Sequence, residues 1–383
     1  MTHSRPIFED DHDAFRDSVR AFLAREVWPR VDDFATSKSL PRQLWLAAGR
    51  QGYLGLEIPE EHGGAAAGDY RYNAILIEEL ARVNMALASS LSIHFDVVTP
   101  YLVHLTSPEQ CKRWLPSVAS GEIVTAIGMT EPSGGSDLAN LRTRASRVEG
   151  GWVLNGAKTF ITNGATADLV LVAARTLPES RSKGISLFAV DASSDGFVRG
   201  RKLDKVGQPE ADTSELFFED VFVPEENLIG TENEGFGHMM RGLPQERIGA
   251  AVANLAHARA ILEETVAYAQ ERTAFGAAIG SFQHNKFVLA ELVTQADVTQ
   301  AYVDQCIASM AGGKLSAIDA AKAKWWTAEV QNRILDHCVQ LFGGYGYMNE
   351  QRVARAWKDA RVTKIWAGSN EIMKELIGRD LGL

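Results

Sequence analysis

Apolar residues recur at helical spacing through the first third of the chain. Phe15, Val19 and Leu23 lie one helical turn apart, which is typical of an amphipathic helix, and Pro29 marks a break in that pattern. The Ser-Pro-Glu-Gln run at residues 107–110 has the N-cap, the proline and the glutamine of a helix start. We therefore expect residues 1–122 to form an all-helical N-terminal domain.

The pattern changes to short β-type runs in the middle of the chain. These runs are separated by Gly, Pro and Asp, as is typical of strands joined by turns. They lie at residues 169–174, 186–190, 197–202 and 215–223. We therefore expect residues 123–235 to form a small β-barrel or β-sandwich domain.

Helical spacing returns at residue 236 and continues to the end with few prolines. Three long helices are predicted at residues 255–270, 283–311 and 317–341. We expect residues 236–383 to form a C-terminal four-helix bundle. The predicted fold class is α+β and multi-domain, with the β domain between two helical domains.

Residues 128–164 combine strand-like segments with glycines and short hydroxyl side chains. The Thr-Glu-Pro-Ser-Gly-Gly-Ser-Asp run at 130–137 lets the backbone lie close to a ligand and offers N–H and O–H donors. Asn155-Gly156 between two β-rich runs predicts a hairpin, and strand alternation puts Phe160 and Thr162 on one face. The stretch is typical of a surface hairpin with polar turns, or of a polar ligand site.

The stretch ALASSLSIHFDVVTPY at residues 86–101 is small and apolar with few charges. It is typical of buried core, with the wall of an apolar substrate slot as the alternative. The side chains in this stretch would then set how deep that slot runs.

Length, composition and net charge indicate the class of protein and exclude some functions. The chain has 383 residues, 45% of them hydrophobic and 23% charged, which is typical of a globular protein with two or three packed units. Its net charge of −10 argues against a nucleic-acid binder and against a basic surface for an anionic membrane. A local basic site for a phosphorylated ligand is compatible with that charge.

The number and spacing of the cysteines favour a reducing compartment. Cys111, Cys306 and Cys338 are far apart, so they predict neither a zinc site nor a disulfide framework, and no metal site is expected. Residues 1–13 are acidic and lack the apolar core of a secretory signal, and no apolar run approaches transmembrane length. We expect a cytoplasmic enzyme without membrane insertion.

Separated motifs give the chain a resemblance to a known family. Those at 130–137, 154–158 and 161–164 look like the flavin-binding strands of the acyl-CoA dehydrogenase family. Similar family motifs lie at 212–224, at 272–276 (Arg-x-x-Phe-Gly) and at 343–347 (Gly-Gly-x-Gly-Tyr). They follow the family's order over nearly the whole chain, so the resemblance implies its helical–β–helical architecture and an FAD cofactor.

The resemblance departs from the common family pattern at the base. Many members have a Glu in a Tyr-Glu-Gly-Thr run, whereas this chain has Ala367, whose backbone N–H would still polarise the thioester oxygen. A smaller branch, which includes the long-chain and isovaleryl-CoA dehydrogenases, keeps its base where this chain has Gln-Glu-Arg at 245–247. The resemblance therefore implies Glu246 as the base, with Arg247 orienting it. The alternatives are that Glu246 is a solvated glutamate in the first turn of a helix and that Arg247 is a surface residue.

The resemblance also assigns residues to the flavin within one chain. Met129 and Thr130 would contact the isoalloxazine edge and Ser136 the pyrophosphate, while Phe160 and Thr162 would pack on the ring. Most relatives have Trp at the position of Phe160. Ser369 and Glu371 are assigned to the flavin side, although Glu371 would share a helical face with Ala367 and is the rival base.

A second group of residues resembles those that reach the FAD of a neighbouring subunit. Arg272 has the donor fork that suits a pyrophosphate, and glycines permit a close backbone approach. The group consists of Arg272, Phe275, Gln283, Gly343 and Gly344. Ala274 replaces a Thr that is common in the family, which removes one phosphate contact. The resemblance implies a homo-oligomer, a tetramer.

The leading hypothesis is FAD-dependent α,β-dehydrogenation of a saturated acyl-CoA, with an electron-transfer flavoprotein as acceptor. An acyl carrier protein in place of CoA is an alternative. A flavin monooxygenase or oxidase of the same superfamily needs no base and is motivated by Ala367. A flavin-free interaction protein is the non-enzymatic alternative, and a preparation that refuses FAD would support it.

Overall fold

The computed structural model describes residues 5–178 and 180–383. Helical, β and helical segments follow one another along the chain, so the predicted fold class is confirmed. The expectation that residues 1–13 lack a secretory signal concerns residues 1–4 in part, and these lie outside the described residues.

Seven α-helices form the N-terminal part: α1 (Asp10–Glu26), α2 (Val31–Ser37), α3 (Arg42–Arg50), α4 (Tyr70–Val83), α5 (Met85–Ser92), α6 (Thr99–His104) and α7 (Pro108–Ser120). A π-helix, Ile93–Val98, joins α5 to α6. The break predicted at Pro29 is confirmed, because α1 ends before it. The start of α7 is also confirmed, since the Ser107 hydroxyl accepts from the Gln110 N–H and the Gln110 side chain accepts from the Ser107 N–H.

Eight strands follow: β1 (Thr125–Gly128), β2 (Arg144–Val148), β3 (Gly151–Thr162), β4 (Leu169–Arg175), β5 (Ile185–Asp191), β6 (Phe197–Lys202), β7 (Thr213–Pro224) and β8 (Leu228–Ile229). They form one sheet in the order β6-β7-β3-β2-β4-β5-β8, with β1 parallel to β4. Along β4 and β5, one set of alternate residues packs against α6 and α7. The other set lies on the opposite face and packs against residues of β3 and β7. This packing sets α6 directly beside the β domain.

The hairpin predicted at Asn155-Gly156 is wrong. Both residues lie inside the continuous strand β3, and the turn is instead at Glu149-Gly150, between β2 and β3. Asn155 exchanges two hydrogen bonds with Asp220 on β7, and a Cβ at Gly156 would lie 2.6 Å from the Thr143 hydroxyl. The glycine therefore permits a close approach inside the sheet rather than a turn.

The C-terminal part contains α8 (Gly235–Glu271), a small hairpin of β9 (Thr273–Ala274) and β10 (Ala277–Ala278), then α9 (Gln283–Ala311), α10 (Ala317–Phe342), α11 (Arg352–Ala360) and α12 (Asn370–Asp380). The predicted long helices are confirmed, and α8 begins well before the predicted start. One apolar core joins α1, α4 and α5 to α8, α9 and α10. The two helical regions thus share a core around α8.

Two expectations about these helices are wrong. Glu246 is not in a first turn, because α8 begins at Gly235 and continues through Pro244. Ala367 and Glu371 do not share a helical face, because α12 begins at Asn370. Pro244 suggested a helix start that the continuous helix α8 overrides, whereas at 367–368 two residues with positive φ end the helical pattern that was expected to continue.

One helical stretch, Met85–His104, is long and apolar enough to cross a membrane, contrary to the expectation that no such run exists. In the fold, 72% of its apolar window is buried inside the protein. The stretch therefore packs as core, with the π-helix at its centre.

Candidate functional site

Glu246 lies on the inner side of α8, partly buried. Its Oε1 accepts a hydrogen bond of 3.2 Å from the Tyr101 hydroxyl on α6. In the part of the chain that the structure describes, Oε2 has no hydrogen-bond donor. Burial raises the pKa of Glu246 to about 7, although Tyr101 and Arg247 act in the opposite direction. A carboxylate with one anchored and one free oxygen can accept a proton near neutral pH.

A second carboxyl, that of Asp96, lies on the π-helix near Glu246. Its Oδ1 accepts from the Asn73 amide at 3.0 Å and from the Gln245 amide at 3.4 Å. Burial raises its pKa to about 7, with a further contribution from the charge of Glu246. Two carboxyl groups therefore titrate close together beside α8.

Arg247 is buried, with 6% of its surface exposed, and is adjacent to Glu246 in sequence. Its guanidinium makes no hydrogen bond or ion pair with any residue that the structure describes, and its Nε is fully enclosed. Burial lowers its pKa, which the charge of Glu246 partly offsets. An unpaired buried cation beside a carboxylate complements negative charge at that position.

Ala367 and Gly368 form a turn in which both residues have positive φ, +52° and +83°. The Ala367 N–H has no acceptor among the described residues, so a ligand can take that donor. Lys324 on α10 fixes the turn, because its Nζ donates to the Gly368 carbonyl at 2.6 Å and lies 3.4 Å from Asn370 Oδ1. A non-glycine residue at positive φ is strained, and the buried lysine holds it in place.

Glu371 differs from Glu246 in every property that matters for a base. It is exposed in the first turn of α12, where backbone and Ser369 hydrogen bonds lower its pKa. Ser369 is the N-cap of that helix and accepts from the Ile372 N–H. Glu371 therefore stays ionised and solvated.

Met129 and Thr130 follow β1 and are held by a buried ion pair. The Lys158 Nζ donates to Glu131 Oε1 at 2.8 Å and to the Met129 carbonyl at 3.2 Å. Glu131 also accepts from the N–H groups of Arg142 and Thr143. Burial lowers the pKa of Lys158 to about 8 against the attraction of Glu131. The pair fixes the backbone at the end of β1.

Phe160 presents its ring to solvent from a β-bulge. It is 67% exposed with φ of +58°, between the buried residues Thr159 and Ile161. The pairing of β3 with β7 shifts register at this position. Thr162 is partly buried and Ser136 is exposed on the loop after β1. An exposed, strained aromatic residue beside open polar groups can cover a planar ligand.

The second predicted group lies at the other end of α8. Phe275 and Gly276 form the turn between β9 and β10, and Phe275 is 99% exposed with φ of +51°. Tyr268 stacks on Phe342 at 4.1 Å, which brings the end of α8 next to the end of α10. The exposed residues gathered there are Arg272, Phe275, Gln283, Gly343 and Gly344.

Sequence reasoning missed four residues that support the site: Tyr101, Asp96, Lys158 and Lys324. Asp96 is the only charged residue in the apolar run at 86–101, which was the available signal. Lys158 closes the motif at 154–158 but received no role, and Lys324 gave no signal, because a lysine in sequence is expected to be solvated.

Three acyl-CoA dehydrogenase family models match consecutive parts of the chain. The N-terminal domain model matches residues 9–122, the middle domain model 126–221 and the C-terminal domain model 233–382. Together they span most of its length.

Known proteins are similar over the same length. The long-chain specific acyl-CoA dehydrogenase of Sus scrofa mitochondria is 46% identical over 379 residues, covering 98% of this chain and 88% of that protein. The crystal structure of an acyl-CoA dehydrogenase from Geobacillus kaustophilus has a TM-score of 0.97 and 41% identity, with 99% of this chain and 100% of that chain covered. A glutaryl-CoA dehydrogenase from Mycobacterium smegmatis, solved in complex with FADH2, has a TM-score of 0.92 and 26% identity, covering 98% and 95%.

Proposed function

Because the chain belongs to the acyl-CoA dehydrogenase family, whose members are FAD-dependent oxidoreductases, we propose that it oxidises a saturated acyl-CoA to the trans-2-enoyl thioester with Glu246 as base. One observation carries the proposal. Glu246 is a partly buried carboxylate with a pKa of about 7 and a free Oε2, whereas residue 367 has no carboxylate. A base is most effective when its pKa lies near the working pH.

In this mechanism the chain supplies a base and a hydrogen-bond donor. Glu246 Oε2 removes the α-proton of the thioester, and the Ala367 N–H donates to the thioester oxygen, where negative charge develops. Arg247 stabilises the Glu246 carboxylate because its buried guanidinium has no other anionic partner among the described residues. FAD, which the residues described next would hold, would supply the acceptor for the β-hydride.

The residues assigned to FAD fit that cofactor. The exposed ring of Phe160 gives an apolar cover, and a Cβ added at Gly134 would meet nothing within 4 Å, so the loop after β1 is open to a ligand. Met129 and Thr130 are fixed by the Lys158–Glu131 pair and would hold the isoalloxazine edge. Thr162 would lie beside the ring, Ser136 at the pyrophosphate, and Ser369 and Glu371 on the flavin side.

We further propose that each flavin site is shared between subunits of a homo-oligomer, a tetramer. Arg272 lies 26 residues beyond Glu246 along α8, and at 1.5 Å per residue the two are about 39 Å apart. One flavin ring beside Glu246 is therefore out of reach of Arg272 in the same chain. The exposure of Arg272, Phe275, Gln283, Gly343 and Gly344 supports their contact with the flavin of a neighbouring subunit.

The substrate class that we propose is a long-chain acyl-CoA, supported by the similarity to the pig protein. An acyl carrier protein thioester is the alternative. An anaerobic titration with acyl-CoAs of increasing length, followed by flavin absorbance, tests both. Bleaching by long acyl-CoAs supports the proposal, and bleaching by carrier-linked substrates alone would replace it.

The electron acceptor that we propose is an electron-transfer flavoprotein, and the proposed location is cytoplasmic. The competing oxidase or monooxygenase function is motivated by Ala367, and the buried position of Glu246 argues against it. Reoxidation of substrate-reduced enzyme separates the two. Rapid electron transfer to the flavoprotein with slow reaction with oxygen is expected, and steady peroxide production would favour the oxidase.

Glu246→Gln is the direct test of the base. The substitution keeps the side-chain volume and removes the proton acceptor, so the rate of flavin reduction should fall by about 10²–10⁴-fold with FAD still bound. Glu375→Gln is the matched control, because that carboxylate is exposed on α12 in an ion pair with Arg379, and its rate should stay within a small factor of wild type. Wild-type reduction by Glu246→Gln would end the assignment.

A further inference from the structure

Tyr101 is the only residue in the described part of the chain that donates a hydrogen bond to the carboxylate of Glu246. It comes from a different element, α6, and reaches across to α8 with its hydroxyl 3.2 Å from Oε1. The tyrosine is 4% exposed and its ring packs in the core between α6, α7 and the β sheet. Its hydroxyl therefore has a fixed position.

Gly242 makes room for this contact. It lies one helical turn before Glu246 on α8, and a Cβ there would be 2.6 Å from the Tyr101 hydroxyl and 3.0 Å from its ring. The same Cβ would be 3.4 Å from Glu246 Oε1. Glycine inside a helix costs about 1 kcal/mol relative to alanine, so the space has to serve another purpose here.

We propose that Tyr101 is a positioning residue for Glu246, and that Gly242 provides the space for it. By donating to Oε1, the tyrosine turns the other carboxylate oxygen, Oε2, toward the substrate and stabilises the ionised form of the base. This inference rests on the proposed role of Glu246.

Other charged groups around Glu246 differ in sign and position. Asp96 faces it from the π-helix and disfavours its ionised form, and Arg247 on α8 favours it. Lys324 on α10 interacts with Arg247, while His94 on the π-helix is bonded to Val118 and Thr125. Tyr101 is thus the neutral group through which the orientation and the charge of Glu246 are set together.

The test is the pH profile of kcat/KM for the holoenzyme with a saturated acyl-CoA, from about pH 5 to about pH 9. The rising limb reports ionisation of the base in the free enzyme. Tyr101→Phe keeps the ring and removes the donor, so the rising limb should move to higher pH by about one unit. The value of kcat/KM should then fall about tenfold at pH values below the limb and change little above it. Gly242→Ala displaces the hydroxyl from the other side and should move the limb in the same direction.

Tyr53→Phe is the matched control. Tyr53 is equally buried, and its hydroxyl bonds to Ser18 at 2.9 Å, remote from α8, so its limb should not move. A merely structural Tyr101 would lower the plateau without moving the limb. An unmoved limb in both Tyr101→Phe and Gly242→Ala, or in whichever of them folds, overturns the inference.

The outcome for Glu246→Gln separates this inference from the proposed function. If that variant still reduces flavin at the wild-type rate, the base assignment fails and the limb has another origin. If it is inactive and the limb of Tyr101→Phe stays in place, the base stands and only the positioning role is wrong.

Discussion

At the residue scale, the charge of Asp96 bears directly on Glu246. The two carboxyl groups lie on adjoining elements, and Gln245, next to Glu246 in sequence, also donates to Asp96 at 3.4 Å. The charge of Glu246 raises the pKa of Asp96, and the effect must be mutual because a pairwise interaction has one energy.

Asp96→Asn should therefore lower the pKa of Glu246, since it removes a like charge and keeps an acceptor for Asn73 or Gln245. The rising limb of kcat/KM is expected to move to lower pH by a few tenths to one unit, opposite to Tyr101→Phe. Asp204→Asn, at an exposed ion pair with Lys38, is the control. A shift to higher pH would show that Asp96 supports the base by another route.

At the element scale, the end of β1 depends on the buried pair of Lys158 and Glu131. Lys158→Met leaves the Glu131 carboxylate buried without its cation, which should cost about 3–5 kcal/mol of unfolding free energy and reduce bound FAD. Denaturant titration and flavin absorbance measure the two effects.

The double variant Lys158→Met with Glu131→Gln should recover part of that loss, because it removes both charges. The exposed pair of Arg147 and Glu225 provides the comparison, and Arg147→Met should cost less than about 1 kcal/mol. Equal losses in the buried and exposed pairs would contradict a special role for the buried one.

The elements themselves were largely predictable, because apolar spacing sets helix and strand type. The exceptions are local signals that the rest of the fold overrides. Asn155-Gly156 indicates a turn in isolation, but Asp220 and Thr143 on neighbouring segments hold it in a strand. Pro244 suggests a helix start, yet it lies inside α8.

The site residues that the sequence suggested came from motifs. Glu246 and Ala367 followed from the resemblance, whereas the contact of Tyr101 with Glu246 joins residues 145 apart in sequence. No local spacing encodes such a pair, because it depends on how α6 and α8 pack.

At the scale of the whole molecule, Gln208 connects all three parts of the chain. It accepts from Ser89 on α5 at 3.0 Å, and its side chain donates to the Asp359 carbonyl on α11 at 3.0 Å. Its N–H also donates to the Asp359 carboxyl group. Burial raises the pKa of Asp359 to about 7.

This raised pKa makes stability depend on pH. The native state holds the Asp359 proton more tightly than the unfolded state, so its stabilising contribution is present below about pH 4 and is lost as the pH rises to about 7. Asp359→Asn should raise the free energy of unfolding more at pH 8 than at pH 5, with a difference between the two gains of at most about 3 kcal/mol. The exposed Asp204→Asn should show no such difference, and an equal gain at both pH values would contradict the role of ionisation.

The exposed hairpin tip gives a prediction about assembly. Phe275→Ser removes an aromatic residue that is 99% exposed in the single chain, so it should weaken subunit association and FAD binding together. Light scattering and flavin content measure both. Val206→Ser, at another strongly exposed apolar residue, should change neither, and an unchanged mass for Phe275→Ser would argue against a shared site.

The length of α8 restricts how this protein can change by insertion or deletion. One continuous helix carries Glu246, the proposed base, in its first half and has Arg272 as its C-cap, and each residue added or removed between them rotates Arg272 by about 100°. A single deletion would thus turn the arginine to another side of the molecule. Only changes near whole turns, such as seven residues, restore its phase, and these move it by about 10 Å. The number of residues between these two positions is therefore constrained by the phase of the helix, even though the residues between them only pack.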